Sequence, residues 1–107
     1  MRKRFRMVSK MKDLKQIQSI LSKHKEELRR KYNVKKIGVF GSYVRGEQKK
    51  SSDIDILVEF EDAIGFFKFL EMEEHISKLL GVKVDLVTKN ALKPRIGQHI
   101  LREVVSI

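Results

Sequence analysis

The stretch from Ile54 to Thr88 limits the folds open to this chain more than any other. "IDILVEF" (54–60) and "VKVDLVT" (82–88) are short runs rich in branched residues, separated by 21 residues. Nearly continuous apolarity over so few residues suits strands covered on both faces. In the segment between them, Phe66, Phe69, Leu70, Ile76, Leu79 and Leu80 supply one helical face. Asp62 is suited to cap that helix and Gly81 to stop it. A strand, a helix and a strand joined by short links imply a right-handed parallel crossover. The aromatic stripe then belongs to the core.

The flanking segments complete the outline. "KKIGVF" (35–40) reads as a third strand, and only 13 residues separate it from Ile54. They carry little helical pattern beyond one turn near Tyr43–Arg45, so this strand pairs antiparallel with 54–60. That pairing brings Gly41 and Asp53 to the same end of the sheet. Ahead of it, Asp13 with Gln16 three residues on forms a reciprocal helix cap. Leu14, Ile17, Leu21, His24 and Leu28 follow at helical spacing, and Asn33 ends the helix after Tyr32. His24 is expected to pack rather than to bind a ligand. Behind the last strand, Pro94 opens a helix in which Ile96, Ile100, Leu101 and Val104 share a side. The expected fold class is α+β, α/β-like: a small mixed three-stranded sheet flanked by helices. Residues 13–107 form one domain after a basic leader, residues 1–12.

Composition narrows the function. The chain has 107 residues, 41% apolar, and one proline, Pro94, which fits a compact domain and not a disordered one. Cysteine is absent, excluding disulfides, thiolate metal sites and a cysteine nucleophile, and a reducing cytoplasmic setting fits. No run approaches the roughly 20 apolar residues of a membrane span. Net charge is +10, and the excess lies in residues 1–36, with 14 Lys/Arg against 3 Asp/Glu. Such a segment suits nucleic acid or an acidic partner, or is a solvated helix face.

Asp53 and Asp55 open an otherwise apolar strand, and residues two apart on a strand face the same side. Two like charges held so close disfavour ionisation unless a cation intervenes. Asp85 interrupts the neighbouring strand, where an isolated charge among valines is costly without a partner. Three carboxylates converging from adjacent strands make a site for a hard cation such as Mg²⁺, which takes substrate phosphates as further ligands. The structural alternative is a turn or cap at Asp53 and a lysine partner, Lys83 or Lys35, for Asp85. Gly41-Ser42 ends the preceding strand, where backbone amides and the Ser42 hydroxyl can hold phosphate oxygens. Arg45, on the same helical side as Ser42, can neutralise phosphate charge. A purely structural turn is the alternative here too.

Other chemistries are excluded. "GSYVRGE" lacks the ending of a P-loop. Phe40 and Val44 flank Ser42 where a nucleophile elbow requires glycines. His24, His75 and His99 lack zinc-ligand spacing. Adjacent same-face aspartates are too close for a glycosidase acid and nucleophile.

Gly41-Ser42, ten intervening residues and Asp53-Ile54-Asp55 together resemble the signature of the nucleotidyltransferases of the DNA polymerase beta superfamily. "FGSYVRGEQKKSSDIDILVEF" looks like the minimal nucleotidyltransferase (MNT) branch, with Asp85 where a third carboxylate is expected. The resemblance spans about residues 14–105. It implies transfer of a nucleoside monophosphate, AMP from ATP, to an acceptor hydroxyl. By position, Asp53, Asp55 and Asp85 would be catalytic and hold Mg²⁺, with Mn²⁺ as the alternative ion and two metals the usual arrangement. Gly41, Ser42 and Arg45 would bind the nucleotide.

About twenty residues follow Asp85, fewer than in larger relatives, so acceptor recognition is expected from a partner or a second copy. The MNT branch implies a HEPN toxin as partner, with this chain as antitoxin adenylylating a HEPN tyrosine. Two alternatives stay open: an antitoxin that acts by contact alone, and a free-standing enzyme on RNA or a small molecule. A homo- or hetero-oligomer fits each reading.

Overall fold

The computed structural model describes residues 12–107, so the expected leader, Lys12 apart, lies outside the described residues. At Asp13 the reciprocal cap forms: the Gln16 amide donates to Asp13 Oδ1 and the Asp13 amide to Gln16 Oε1, both at 2.9 Å. Helix α1 (Leu14–Tyr32) then runs to Asn33, whose φ of 58° ends it in the left-handed conformation. Ile17, Leu21, Leu28 and Tyr32 are its buried positions. Next come β1 (Val34–Phe40), one short helical turn α2 (Ser42–Arg45), β2 (Ile54–Phe60) and α3 (Phe66–Leu80). After them stand β3 (Val84–Thr88), a 3-10 turn (Lys89–Ala91), α4 (Pro94–Glu103) and β4 (Val105–Ser106).

The sheet order is β3-β2-β1-β4. Strands β2 and β3 are parallel across α3, and β1 is antiparallel to both β2 and β4. The architecture is the expected α+β sheet flanked by helices, with four strands where the sequence suggested three. Strand β4 has two residues, too few to show any alternation. It pairs with Gly38 and Val39, where a Cβ on Gly38 would lie 2.7 Å from Val104 Cγ2 and 3.0 Å from the Val105 carbonyl oxygen. The bare backbone at Gly38 admits the last strand.

Ile54, Ile56 and Val58 alternate onto one face, joined by Ile37, Val39, Val84 and Leu86, and pack under α1 and α3. Two details differ from expectation. Asp62 caps nothing: α3 starts after Gly65 with no side-chain cap bond. The core positions of α3 are Met72, Ile76 and Leu80, repeating every four residues, while Phe66 and Leu70 are 69% and 40% exposed. Leu70 falls on the flank of that face, and Phe66 is the first residue of the helix, so the aromatic stripe is core only at Phe69, edge-on to Phe60. On α4, Pro94 stands at the first turn as expected, yet Ile96 and Leu101 are exposed. His24 contacts Glu27 at 3.0 Å. No helix among the described residues is long and apolar enough to cross a membrane.

Candidate active site

Because Ile54 and Ile56 point into the core, Asp55 between them points to the opposite face, toward α4. The same alternation applies to Asp85 between Val84 and Leu86. The parallel register sets Asp55 directly beside Asp85, on strands about 4.8 Å apart. Asp53 lies two residues before Asp55, delivered by a turn in which the Ser52 amide donates to the Lys49 carbonyl at 2.9 Å and the Lys49 amide to Ser52 Oγ at 2.8 Å. Antiparallel pairing sets Phe40 opposite Asp55, which carries Gly41 to the same spot. Asp55, Asp85 and the glycine turn thus share one sheet end and one face, with Asp53 just ahead of β2 at that same end.

Gly41 is fitted to this place. Its φ of 83° and ψ of −153° belong to a region that residues with a Cβ avoid, and a Cβ there would collide with Asp55 Oδ2. The backbone therefore passes against the Asp55 carboxylate as no other residue could. Ser42 opens α2 immediately after it. Tyr43, 3% exposed, plugs the turn into the core, with its hydroxyl 3.5 Å from the Ser52 carbonyl oxygen.

The charges are unbalanced. Burial pushes the Asp55 carboxyl above its ordinary value, and the charges of Asp85 and Asp53 push it further, against a smaller opposing pull from Arg45. Among the described residues Asp53 pairs with Lys83 at 4.0 Å, itself 81% exposed and so weakly coupled. The lysine partners considered for Asp85 lie elsewhere: Lys83 faces Asp53 and Lys35 faces Glu59. Among the described residues no three His, Cys, Asp or Glu side chains are gathered as a finished metal site. The donor set nonetheless suits a hard divalent cation. It is all carboxylate oxygen, with Asp55 and Asp85 in register, and burial together with the neighbouring carboxylates disfavours the ionised form of Asp55 that a cation would favour.

Arg45 reaches back across the turn to two carboxylates, Glu47 Oε1 at 2.8 Å and Glu103 Oε1 at 2.6 Å. Glu103 also accepts the Gly41 amide hydrogen bond at 2.8 Å through Oε2. Burial would raise the Glu103 carboxyl, but the Gly41 amide and Arg45 together hold it below its ordinary value. Sequence reasoning passed over Glu103. The available signal was its position: an acid ending a helix opposes the negative end of the helix dipole, and so calls for a partner. A cavity of about 670 Å³ lies elsewhere, at the opposite strand ends between Phe60, Phe69 and Thr88.

Four likenesses bear on this constellation. Residues 21–107 match the family model described as a nucleotidyltransferase domain. The protein adenylyltransferase MntA of Thermococcus cleftensis is 55% identical over 97 residues, covering 91% of this chain and 98% of that protein. A solved, provisionally assigned minimal nucleotidyltransferase superposes with a TM-score of 0.78 at 31% identity, covering 90% of this chain and 97% of the other. A chain from a toxin–antitoxin complex crystallised with AMP-PNP superposes with a TM-score of 0.68 at 28% identity, covering 79% of this chain and 69% of that one.

Proposed function

This chain belongs to the nucleotidyltransferase family and is an enzyme of that class, and from that premise we propose that it transfers AMP from Mg²⁺-bound ATP to a tyrosine of a HEPN-type toxin, which it thereby silences as antitoxin. The observation that carries the reading is the in-register pair Asp55–Asp85 with Gly41 pressed against Asp55. The adenylyltransferase relative supports AMP as the group transferred. The toxin–antitoxin complex with a nucleotide analogue supports the partner class.

Asp53, Asp55 and Asp85 would hold Mg²⁺, with Mn²⁺ as the alternative ion. When bound, such ions neutralise the phosphates and stabilise the attacking and leaving oxygens of an in-line displacement. The Gly41 turn, the Ser42 hydroxyl and Arg45 receive the triphosphate and orient it. The acceptor oxygen forms a bond to the α-phosphorus as the bond to the β-phosphate bridge breaks. Pyrophosphate leaves with the electron pair, and Asp85, which lies toward the open face, takes the acceptor proton. Positioning and charge neutralisation do most of the work in such transfers.

The test is mass spectrometry of a HEPN partner after incubation with ATP and Mg²⁺. Wild-type protein should add one or more AMP units to a partner tyrosine. Asp53→Ala/Asp55→Ala should lower the rate by at least about a thousandfold, since charge stabilisation is commonly worth several kcal/mol in the transition state. A double mutant that neutralises the toxin as well as wild type, with no mass shift in either case, would replace catalysis by contact.

A further inference from the structure

Glu103 holds the groups that the proposed function gives to the nucleotide. Its Oε2 accepts from the Gly41 amide at 2.8 Å and its Oε1 from Arg45 Nη1 at 2.6 Å. One carboxylate thus places one oxygen on each of two donors, as two oxygens of a phosphate chain would. Its side chain is only 13% exposed, so it is largely covered where it meets the two donors. Resting on the nucleotide-site reading, we infer that Glu103 is an internal stand-in for phosphate, and that the triphosphate binds by displacing it.

The surroundings favour displacement over permanent scaffolding. Glu103 ends α4, where a carboxylate opposes the helix dipole, and its charge adds to those crowding Asp55. Gly41 and Arg45 are its hydrogen-bond partners among the described residues. Its backbone has no such freedom: Val104 packs on Gly38 and β4 is paired to β1, so the side chain alone can swing away. A phosphate anchored at the aspartates would reach the Gly41 amide, because Gly41 and Asp55 are in contact.

A scaffold and a stand-in predict effects of opposite sign. Losing a scaffold loosens nucleotide binding; losing a competitor tightens it. If Glu103 leaves its donors free about a tenth of the time, removing it should strengthen phosphate-chain binding about tenfold. Calorimetry with inorganic tripolyphosphate and Mg²⁺ on wild type, Glu103→Gln and Glu103→Ala reads this directly. Both variants should bind tighter and show a lower KM for ATP, while melting lower than wild type without ligand. Glu103→Gln, which keeps the shape, carries the test alone if the alanine variant fails to fold. Equal or weaker binding, in a wild type that binds ATP and transfers AMP, overturns the stand-in and leaves the enzyme reading standing. A wild type that binds neither tripolyphosphate nor ATP with Mg²⁺ overturns the nucleotide site and this inference together.

Discussion

The two faces of the sheet are built from alternate residues of the same strands, yet they are in opposite physical states. On one face Ile54, Ile56 and Val58 meet two helices and are fully buried. On the other, Asp55 lies against Gly41, Leu57 shares a hollow with Leu101 and Val104, and Glu59 faces Lys35 and Lys89, while Ile96 and Leu101 stay exposed. One face gains stability from burial, and the other holds charges that burial makes costly. A fold can keep an unfavourable cluster on one side because the other side supplies the stability.

The contrast can be broken first at the packed face. Ile76→Ala should lose about 2–5 kcal/mol, the usual cost of emptying a closed core site. Leu101→Ala on the open face should change stability by about 0.5 kcal/mol or less. Urea unfolding of both variants checks the pair; equal losses would mean that α4 seals its face as fully as α1 and α3 seal theirs.

Gly41→Ala tests how tightly the open face is fitted. The backbone conformation there should cost about 1–3 kcal/mol with a Cβ present, and the collision with Asp55 adds to it. AMP transfer should fall further than stability, because the added methyl displaces the carboxylate itself. A variant with normal activity would show that the close approach has no part in the chemistry.

The smallest effect is the most diagnostic of the charge cluster. A carboxyl whose pKa rises on folding binds its proton more tightly in the folded chain. Its stabilising contribution is therefore present below the ordinary 3.8 and is lost as pH rises through the folded value. In metal-free buffer at pH 7, Asp55→Asn should melt above wild type, by about 4 °C at most. The gap should close as pH falls through the raised value toward 3.8. Glu27, Glu71 and Glu103, whose pKa values are lowered, lose stability on acidification in both proteins, so the difference isolates Asp55. Melting below wild type at pH 7 would make Asp55 a structural residue.

Much of the architecture was legible because it rests on local chemistry. The cap at Asp13 and Gln16, the stop at Asn33, the stop at Gly81 and the proline start of α4 are set by neighbours in sequence. Asp62 misled because capping residues also populate ordinary loops, and the chain reaches Gly65 before turning helical. Phe66 and Leu70 misled because periodicity says that a face exists, not how wide a face the neighbouring elements cover.

By itself the sequence determined that Asp55 faces away from Ile54 and Ile56, that Gly41 ends a strand, and that two strands run parallel across a helix, since pleat and period follow from covalent geometry. Only the tertiary structure decided what those residues meet. The Asp55–Asp85 register, the contact of Gly41 with Asp55, and the arrival of Glu103 at an amide 62 positions away depend on how the strands and α4 dock. Docking is settled by packing summed over the whole core, which no short stretch of chain encodes.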